Sequence, residues 1–325
     1  MRAGARVLLC AAGCVAAGLG GCHGSQGTGG AAARGQPATF TDELGRRVVP
    51  RRWPTTRVIS LAPNVTELLF AIAAGPQVVG VDSFSDAPAA ALVGVPRVGT
   101  DYEPSLETIV RLGPDLVISA SSANRRESVE ALDAMSIPTF VTDSRSLADV
   151  DRLLDTLGRL TGHGLEASAE RARLQAGLAE VRGAVRDAVG RAGRPGVLVV
   201  VWSDPLYVAG CDTFIDDLVE VAGGRNVARD ATGFARYPLE KILAEAPEVI
   251  ILPGHTAPAS DPAEAARSRQ ALAFWQRWST IPAVAHGRVH LVEDTPVVRP
   301  GARLVEGART LAGLIHPAPV PAGSH

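Results

Sequence analysis

The sequence predicts an α/β protein built as two related lobes, each with a parallel sheet, joined by one long helix. Three observations carry that expectation. Apolar residues at Leu174, Leu178, Val181, Val185 and Val189 step by four, three, four and four, with Arg and Glu on the other faces. That spacing draws the stripe of a single amphipathic helix. On both sides of it, short β-prone runs alternate with helical runs, the pattern of a parallel sheet covered by helices. Finally, one segment recurs. Residues 105–118 (SLETIVRLGPDLVI) and 238–251 (PLEKILAEAPEVII) both run Leu-Glu-x-Ile, then four residues, then Pro, an acid and three aliphatics.

The chain opens with Arg2 and Arg6 before a short apolar core, Val7 to Leu19. This is the form of a secretion signal, too short for a comfortable membrane span. It ends in Leu19-Gly-Gly-Cys22, which resembles the bacterial lipoprotein box; the resemblance implies removal of the preceding residues and a lipid on Cys22. Residues 1–22 are therefore assigned to the signal. Residues 23–38, rich in Gly, Ser, Ala and Gln without apolar period, are assigned to a flexible tether. Three of the four cysteines lie in the signal, so Cys211 has no partner for a disulfide in the body.

The first lobe is expected over residues 39–162. Thr39 to Val49 reads as a small hairpin. Strands are expected at Arg57–Ala62, Val78–Val81, Asp115–Ser119 and Thr139–Val141. Helices are expected at Val65–Ala74, with Asn64 as N-cap and Glu67 three residues on, at Ser105–Leu112 and at Asn124–Met135. The linking helix takes residues 163–193, ended by Gly190, Gly193 and Pro195. The second lobe takes residues 194–316, with a strand at Val197–Trp202 broken by Ser203-Asp-Pro205. Helices at Thr213–Ala222 and Pro238–Ala244 and a strand at Glu248–Leu252 follow; residues 317–325 are a tail.

Composition excludes several function classes. The 32 basic and 34 acidic residues give a net charge of −2 with no basic tail, so nucleic acid is not a partner. The sole lysine, Lys241, is followed by Ile242, so there is no phosphate-binding Gly-Lys-Ser/Thr loop and ATP hydrolysis belongs to another chain. There is no Gly-x-Ser-x-Gly, no His-Glu-x-x-His and no metal-spaced Cys pair. His286 and His290 are four apart, but Gly287 and the β-like Arg288–Val292 run argue against a helical ligand pair; His255 is read as a loop residue. No catalytic or metal site is expected, and a secreted α/β enzyme is kept only as a remote alternative.

Ligands of parallel sheets sit beyond the carboxyl ends of the strands. Those ends are Ala62–Asn64, Asp82–Asp86 and Gly99–Tyr102 in the first lobe. The chain is poor in aromatics, yet Phe84, Tyr102, Trp202, Tyr207 and Tyr237 fall in loops or at strand ends on this side. Such rings suit a large, flat, amphipathic ligand, since each gives wide contact area and a polar tip at small entropy cost. Asp86, Asp294 and Arg299 are placed to orient its amide or carboxylate edges.

Residues 57–68 (RVISLAPNVTEL), Pro104–Ile109 and Pro114–Ile118 resemble the helical-backbone (class III) periplasmic substrate-binding proteins of ABC importers, which carry cobalamin, haem and iron–siderophores. Residues 202–210 (WSDPLYVAG) and Arg299-Pro-Gly301 point to the cobalamin branch, and the resemblance spans about Thr39 to His316. It implies two lobes on one backbone helix, a ligand cleft between them, and a corrinoid, cobalamin above all, as cargo rather than a resident cofactor. It further implies pocket positions for Phe84, Tyr102, Tyr237 and the Trp202–Tyr207 loop. Phe84 departs from the tyrosine common there, which weakens a haem reading that needs a phenolate, though Tyr102 could substitute. Haem or ferric siderophore remains the alternative cargo. The implied partners are an ABC permease dimer with separate ATPase subunits, met by a monomeric, membrane-anchored lipoprotein in the periplasm. Glu107 and Glu240, the acids shared by the repeated segments, are expected to dock on permease arginines; their alternative is to favour the positive end of the helix dipole.

Overall fold

A computed structural model describes residues 38–100, 102–121, 126–254, 262–292 and 295–317. The expected signal, tether and anchor at Cys22 lie outside these residues, as do His255 and Asp294. No helix among the described residues is long and apolar enough to cross a membrane.

The body opens with a hairpin of β1 (Phe40–Thr41) and β2 (Arg47–Val48). There follow β3 (Val58–Ser60), α1 (Pro63–Ala71), β4 (Val78–Val81), α2 (Leu106–Leu112), β5 (Leu116–Ala120), α3 (Arg126–Ala134), β6 (Thr139–Thr142) and α4 (Leu147–Thr161). The first sheet is wholly parallel, in the order β4-β3-β5-β6. The hairpin shields its β6 edge: Glu43 N–H donates to Val141 O at 3.1 Å and Val141 N–H to Asp42 Oδ2 at 3.3 Å.

Two local details differ from expectation. Helix α1 starts earlier than Asn64, because Pro63 takes the first turn, where its missing N–H costs nothing; Ala62 is the N-cap and makes no side-chain cap bond. Helix α4 was not expected, although its start is written in the sequence. Ser146 accepts from Asp149 N–H while Asp149 accepts from Ser146 N–H, a reciprocal capping box.

Helix α5 (Gly164–Ala192) runs 29 residues, about 43 Å at 1.5 Å per residue. It buries Leu174, Leu178, Val181 and Val185, four of the five residues of the predicted stripe. The second lobe comprises β7 (Gly196–Ser203), β8 (Leu206–Ala209), α6 (Phe214–Val221), β9 (Arg225–Asn226), β10 (Phe234–Arg236), α7 (Leu239–Glu245), β11 (Val249–Pro253), α8 (Pro262–Gln276), α9 (Pro282–Ala285), β12 (Val289–Val292) and α10 (Leu304–Ile315).

Strands β9, β7, β11 and β12 pair in parallel in the order of the first sheet. The second sheet is mixed, however. Asp204-Pro205 does not merely break the strand; it turns the chain in two residues, so β8 returns antiparallel on β7 and β10 adds to β8. The repeated segments occupy matched places. Helices α2 and α7 bury Ile109 and Ile242 and end in left-handed residues, Gly113 and Ala246. The acid after each proline then accepts at the head of an inner strand: Asp115 from the N–H of Arg57, just before β3, at 3.0 Å, and Glu248 from the N–H of Gly196, the first residue of β7, at 2.9 Å.

One apolar core crosses between the lobes. It joins Val58, Leu116, Ile118 and Phe140 of the first sheet to Val197, Val199, Val249 and Ile251 of the second, through side chains of α1, α4, α5, α6 and α10. Helix α10 reaches α5 closely because Gly177 carries no side chain; a Cβ there would stand 2.7 Å from the methyls of Val305.

Candidate cleft site

The strand ends of both lobes face a cavity of about 460 Å3. The first lobe lines it with Asn64, Ser121 and Thr142 to Arg145. The second supplies Asp212 to Phe214 and Thr232 to Phe234, and Val298 and Pro300 complete it. Arg145 spans the floor, donating to Asp143 of its own lobe at 2.7 Å and to Asp212 of the other at 3.4 Å. Those two carboxylates, Asp143 foremost, hold its guanidinium above its ordinary pKa.

In the first lobe the loop after β4 carries Phe84. A buried polar network fixes that loop. Asp82 is fully buried and accepts from Phe84 N–H at 2.8 Å and from the Ser85 hydroxyl. The Thr66 hydroxyl meets Ser60 and Ser85, each at 2.8 Å, and Arg97 donates to the carbonyls of Asp82 and Ser85. The half-buried Phe84 ring lies 6.4 Å from that of Tyr102, which is exposed. Asp101 beside it lies outside the described residues.

The second lobe's wall comes from its antiparallel strands. Cross-strand register aligns Trp202, Tyr207 and Arg236 in one row and Ala209 with Phe234 in the next. Paired residues share a sheet face, and residues two apart on a strand do so as well. Trp202, Tyr207, Phe234 and Arg236 therefore form one platform. Trp202 is 47% and Phe234 49% exposed. Trp202 is steadied by its indole N–H, which donates to Asp204 O at 2.7 Å.

Tyr237, expected on a cleft wall, is instead a core side chain. It is 4% exposed and packs with Leu198, Val200, Val208, Ile242 and Trp275. Alternation along β10 explains this: if Phe234 and Arg236 point to the platform, the next residue turns to the other face. Its hydroxyl donates to Asp230 Oδ1 at 2.8 Å, and Lys241 stands 4.9 Å from its ring. Burial, with Glu245 nearby, pushes its phenol above the usual value.

Asp86 and Arg299 meet each other. Arg299 Nη1 donates to Asp86 Oδ1 at 2.5 Å and to Glu67 Oε1 at 2.9 Å, and Arg303 Nη2 adds a bond to Glu67 at 3.0 Å. Gly301 lets the chain pass over that carboxylate, since a Cβ would lie 2.5 Å from Glu67 Oε2. Arg299 is buried, with Nη2 unbonded among the described residues, whereas Asp86 is exposed. Sequence reasoning missed Phe234 and Arg145, which line the cavity, and Arg236, which pairs with Tyr207. Glu107 and Glu240 stand in the first turns of α2 and α7, exposed and away from the cavity lining; Arg111 stands beside Glu107 at 3.6 Å.

Comparison with known proteins follows the same lines. The family described as periplasmic binding protein matches residues 58–295. An uncharacterized ABC transporter substrate-binding lipoprotein of Bacillus subtilis (strain 168), YvrC, is 29% identical over 285 residues, covering 86% of each chain. A vitamin B12-binding protein of Pectobacterium atrosepticum is 28% identical over 259 residues, 78% of this chain and 86% of that one. Among solved structures, the periplasmic haem-binding protein RhuT of Roseiflexus sp. RS-1 superposes with a TM-score of 0.69 at 25% identity, over 81% of this chain and 98% of that one. The vitamin B12-binding protein BtuF of Vibrio cholerae superposes with a TM-score of 0.66 at 20% identity, over 81% and 97%, a likeness of fold.

Proposed function

The chain belongs to the periplasmic binding protein family, and from that premise we propose that it captures a corrinoid, cobalamin above all, and delivers it to a membrane permease. The family is one of transport receptors rather than enzymes, and the chain is an ABC-transporter substrate-binding protein with a periplasmic or exported location. The cargo is our reading. The observation that carries it is the pair of aromatic walls: Phe84 and Tyr102 on one lobe, Trp202, Tyr207 and Phe234 on the other, in a chain with only 4% aromatic residues. Of these rings Phe234 lines the cavity, and aromatic surfaces on both lobes suit a broad macrocycle with an amide-rich rim. Arg145, Arg236 and the exposed oxygen of Asp86 supply donors and an acceptor for that rim.

On this reading Cys22 bears the lipid, residues 23–38 tether a monomeric body, and Glu107 and Glu240 contact a permease dimer whose ATPase is a separate chain. A second cargo, haem, is favoured by one feature, the exposed phenol of Tyr102, a side chain type that can give iron an oxygen ligand. One measurement separates the two: the visible spectrum of the protein after incubation with cyanocobalamin or haem, followed by desalting. Retained corrinoid bands are expected. Retained haem bands alone, lost in Tyr102→Phe, would transfer the assignment to haem, and a colourless protein would remove both.

A further inference from the structure

The far end of the first lobe carries an unexplained surface. Within residues 46–57 (RRVVPRRWPTTR) stand five arginines and one tryptophan. Two of the arginines are used structurally there. Arg51 donates to Ser136 O at 2.8 Å and to Pro114 O at 3.4 Å, and Arg57 to Gly113 O at 3.1 Å and Leu112 O at 2.5 Å. They cover the carboxyl ends of α2 and α3, where unpaired carbonyls attract cations. Arg46 is taken up by Asp42 and Asp133. Arg47 and Arg52 are different: both are exposed and neither has a partner among the described residues.

Trp53 lies among them, 49% exposed, its ring held by an indole N–H donating to Arg159 O at 2.9 Å. Val49 and Met135 are exposed on the same end. Besides Asp42 and Asp133, which hold Arg46, Asp115 touches this segment and is consumed by the backbone and hydroxyl of Thr56 and the backbone of Arg57. Spare guanidinium charge, an exposed indole and two exposed apolar side chains are the components of a surface that sits on anionic lipid headgroups. None of them faces the cleft.

We propose that this end of the first lobe, centred on Arg47, Arg52 and Trp53, is a docking face for an anionic phospholipid surface. The position of the chain's origin selects that occupant. Fifteen residues separate Cys22 from Ala38, where the described chain begins. It joins the body at β1, the partner strand of β2, on which Arg47 lies. A lipid at Cys22 would therefore be tied to the body through the strand that pairs with β2. This part of the argument rests on the anchor reading; the charge and exposure do not.

The test uses the chain from His23 onward, without lipid, mixed with vesicles of phosphatidylcholine alone or with about one-third phosphatidylglycerol. Co-sedimentation is expected with the anionic vesicles only, and release in 0.5 M salt. Arg47→Glu with Arg52→Glu should weaken partition about tenfold or more. Arg182→Glu with Arg186→Glu, an equal charge change on the exposed face of α5, should not. Trp53→Ser should lower binding while leaving its salt dependence. Equal binding to both vesicle types, equal loss in the two double variants, or no sedimentation at low salt would each overturn the proposal. Melting curves check that every variant is folded. Because Cys22 is absent throughout, failure here leaves the anchor reading untouched. That reading fails separately, if full-length Cys22→Ser still fractionates with membranes after a carbonate wash.

Discussion

Arg299 of the second lobe donates to Glu67 of the first across 2.9 Å, with both side chains more than nine-tenths buried. Glu67 also holds Arg303, and Gly301 passes against its carboxylate. Removing one member of such a pair leaves a buried charge undersatisfied, which costs about 3 kcal/mol. Arg299→Ala should lower the urea unfolding free energy by roughly that amount, with one transition retained because the lobes share a core. Separate transitions for the two lobes, or an unchanged midpoint, would contradict the arrangement.

Bending the lobes toward each other would have to break α5 or open the core that α1, α4, α6 and α10 build around it. Cargo should therefore move loops more than lobes. Scattering curves with and without ligand should give radii of gyration within about 1 Å. A contraction of several ångströms would show a hinge that this packing does not provide.

Asp217 of α6 accepts from Leu147 N–H at the start of α4, at 2.9 Å. Burial foremost, with Asp216, Glu220 and Asp149 around it, raises its carboxyl above the ordinary value despite that bond. A carboxyl raised on folding favours the native state while protonated. Its contribution is complete below the unfolded value, near 3.8, and is lost as pH climbs through the folded one. Asp217→Asn keeps an acceptor for Leu147 and drops the charge. It should melt higher than wild type at pH 7, with the gap closing below about pH 4. A lower melting point at pH 7 would mean that the charge is favourable at this helix start.

Phe234 and Tyr237 are three residues apart and should behave oppositely. Phe234→Ala removes a platform ring, expected to weaken cargo binding by about 2 kcal/mol, roughly thirtyfold, with little change in melting. Tyr237→Ala empties part of the core and should cost about 3–5 kcal/mol of stability. Tyr237→Phe, which gives up only the bond to Asp230, should cost about 1 kcal/mol and leave affinity intact. Calorimetry and denaturant melts on the three variants separate wall from core.

Glu107→Arg with Glu240→Arg should abolish uptake through the cognate importer while sparing cargo affinity and melting temperature, with single reversals intermediate. Both acids are exposed at matched positions of related lobes, so a twofold permease could engage them as a pair. Normal transport by the double variant would reduce them to their favourable placement on the helix dipole.

Much of this architecture was legible because it is local. The steps between Leu174 and Val185 gave α5, and the recurring Leu-Glu-x-Ile and Pro-acid pattern gave both helix–strand units with their ends. The Ser146–Asp149 box and the spacing of Val150, Leu153, Leu154, Leu157 and Leu160 would have given α4 by the same reasoning. The cleft was harder. Phe234 reaches the platform through its pairing with Ala209, 25 residues earlier, and no periodicity within a three-residue strand announces that. Tyr237 was misplaced for the same reason: without the register of β10, the face it takes is undetermined. Asp86 and Arg299 both read as polar cleft residues, but their mutual bond across 213 positions depends on the packing of the two lobes.

The unbroken core around α5 bears on how an importer tells a filled receptor from an empty one. A receptor that snaps shut advertises its load by its outline. This one would offer the same outline, and the same two acids, in either condition. Occupancy would then have to be sensed at the mouth, through the cargo itself or the loops around Phe84 and Trp202. Unloaded copies would engage the transporter as readily as loaded ones and compete for it, so net import would depend on the loaded fraction of the population rather than on its abundance alone.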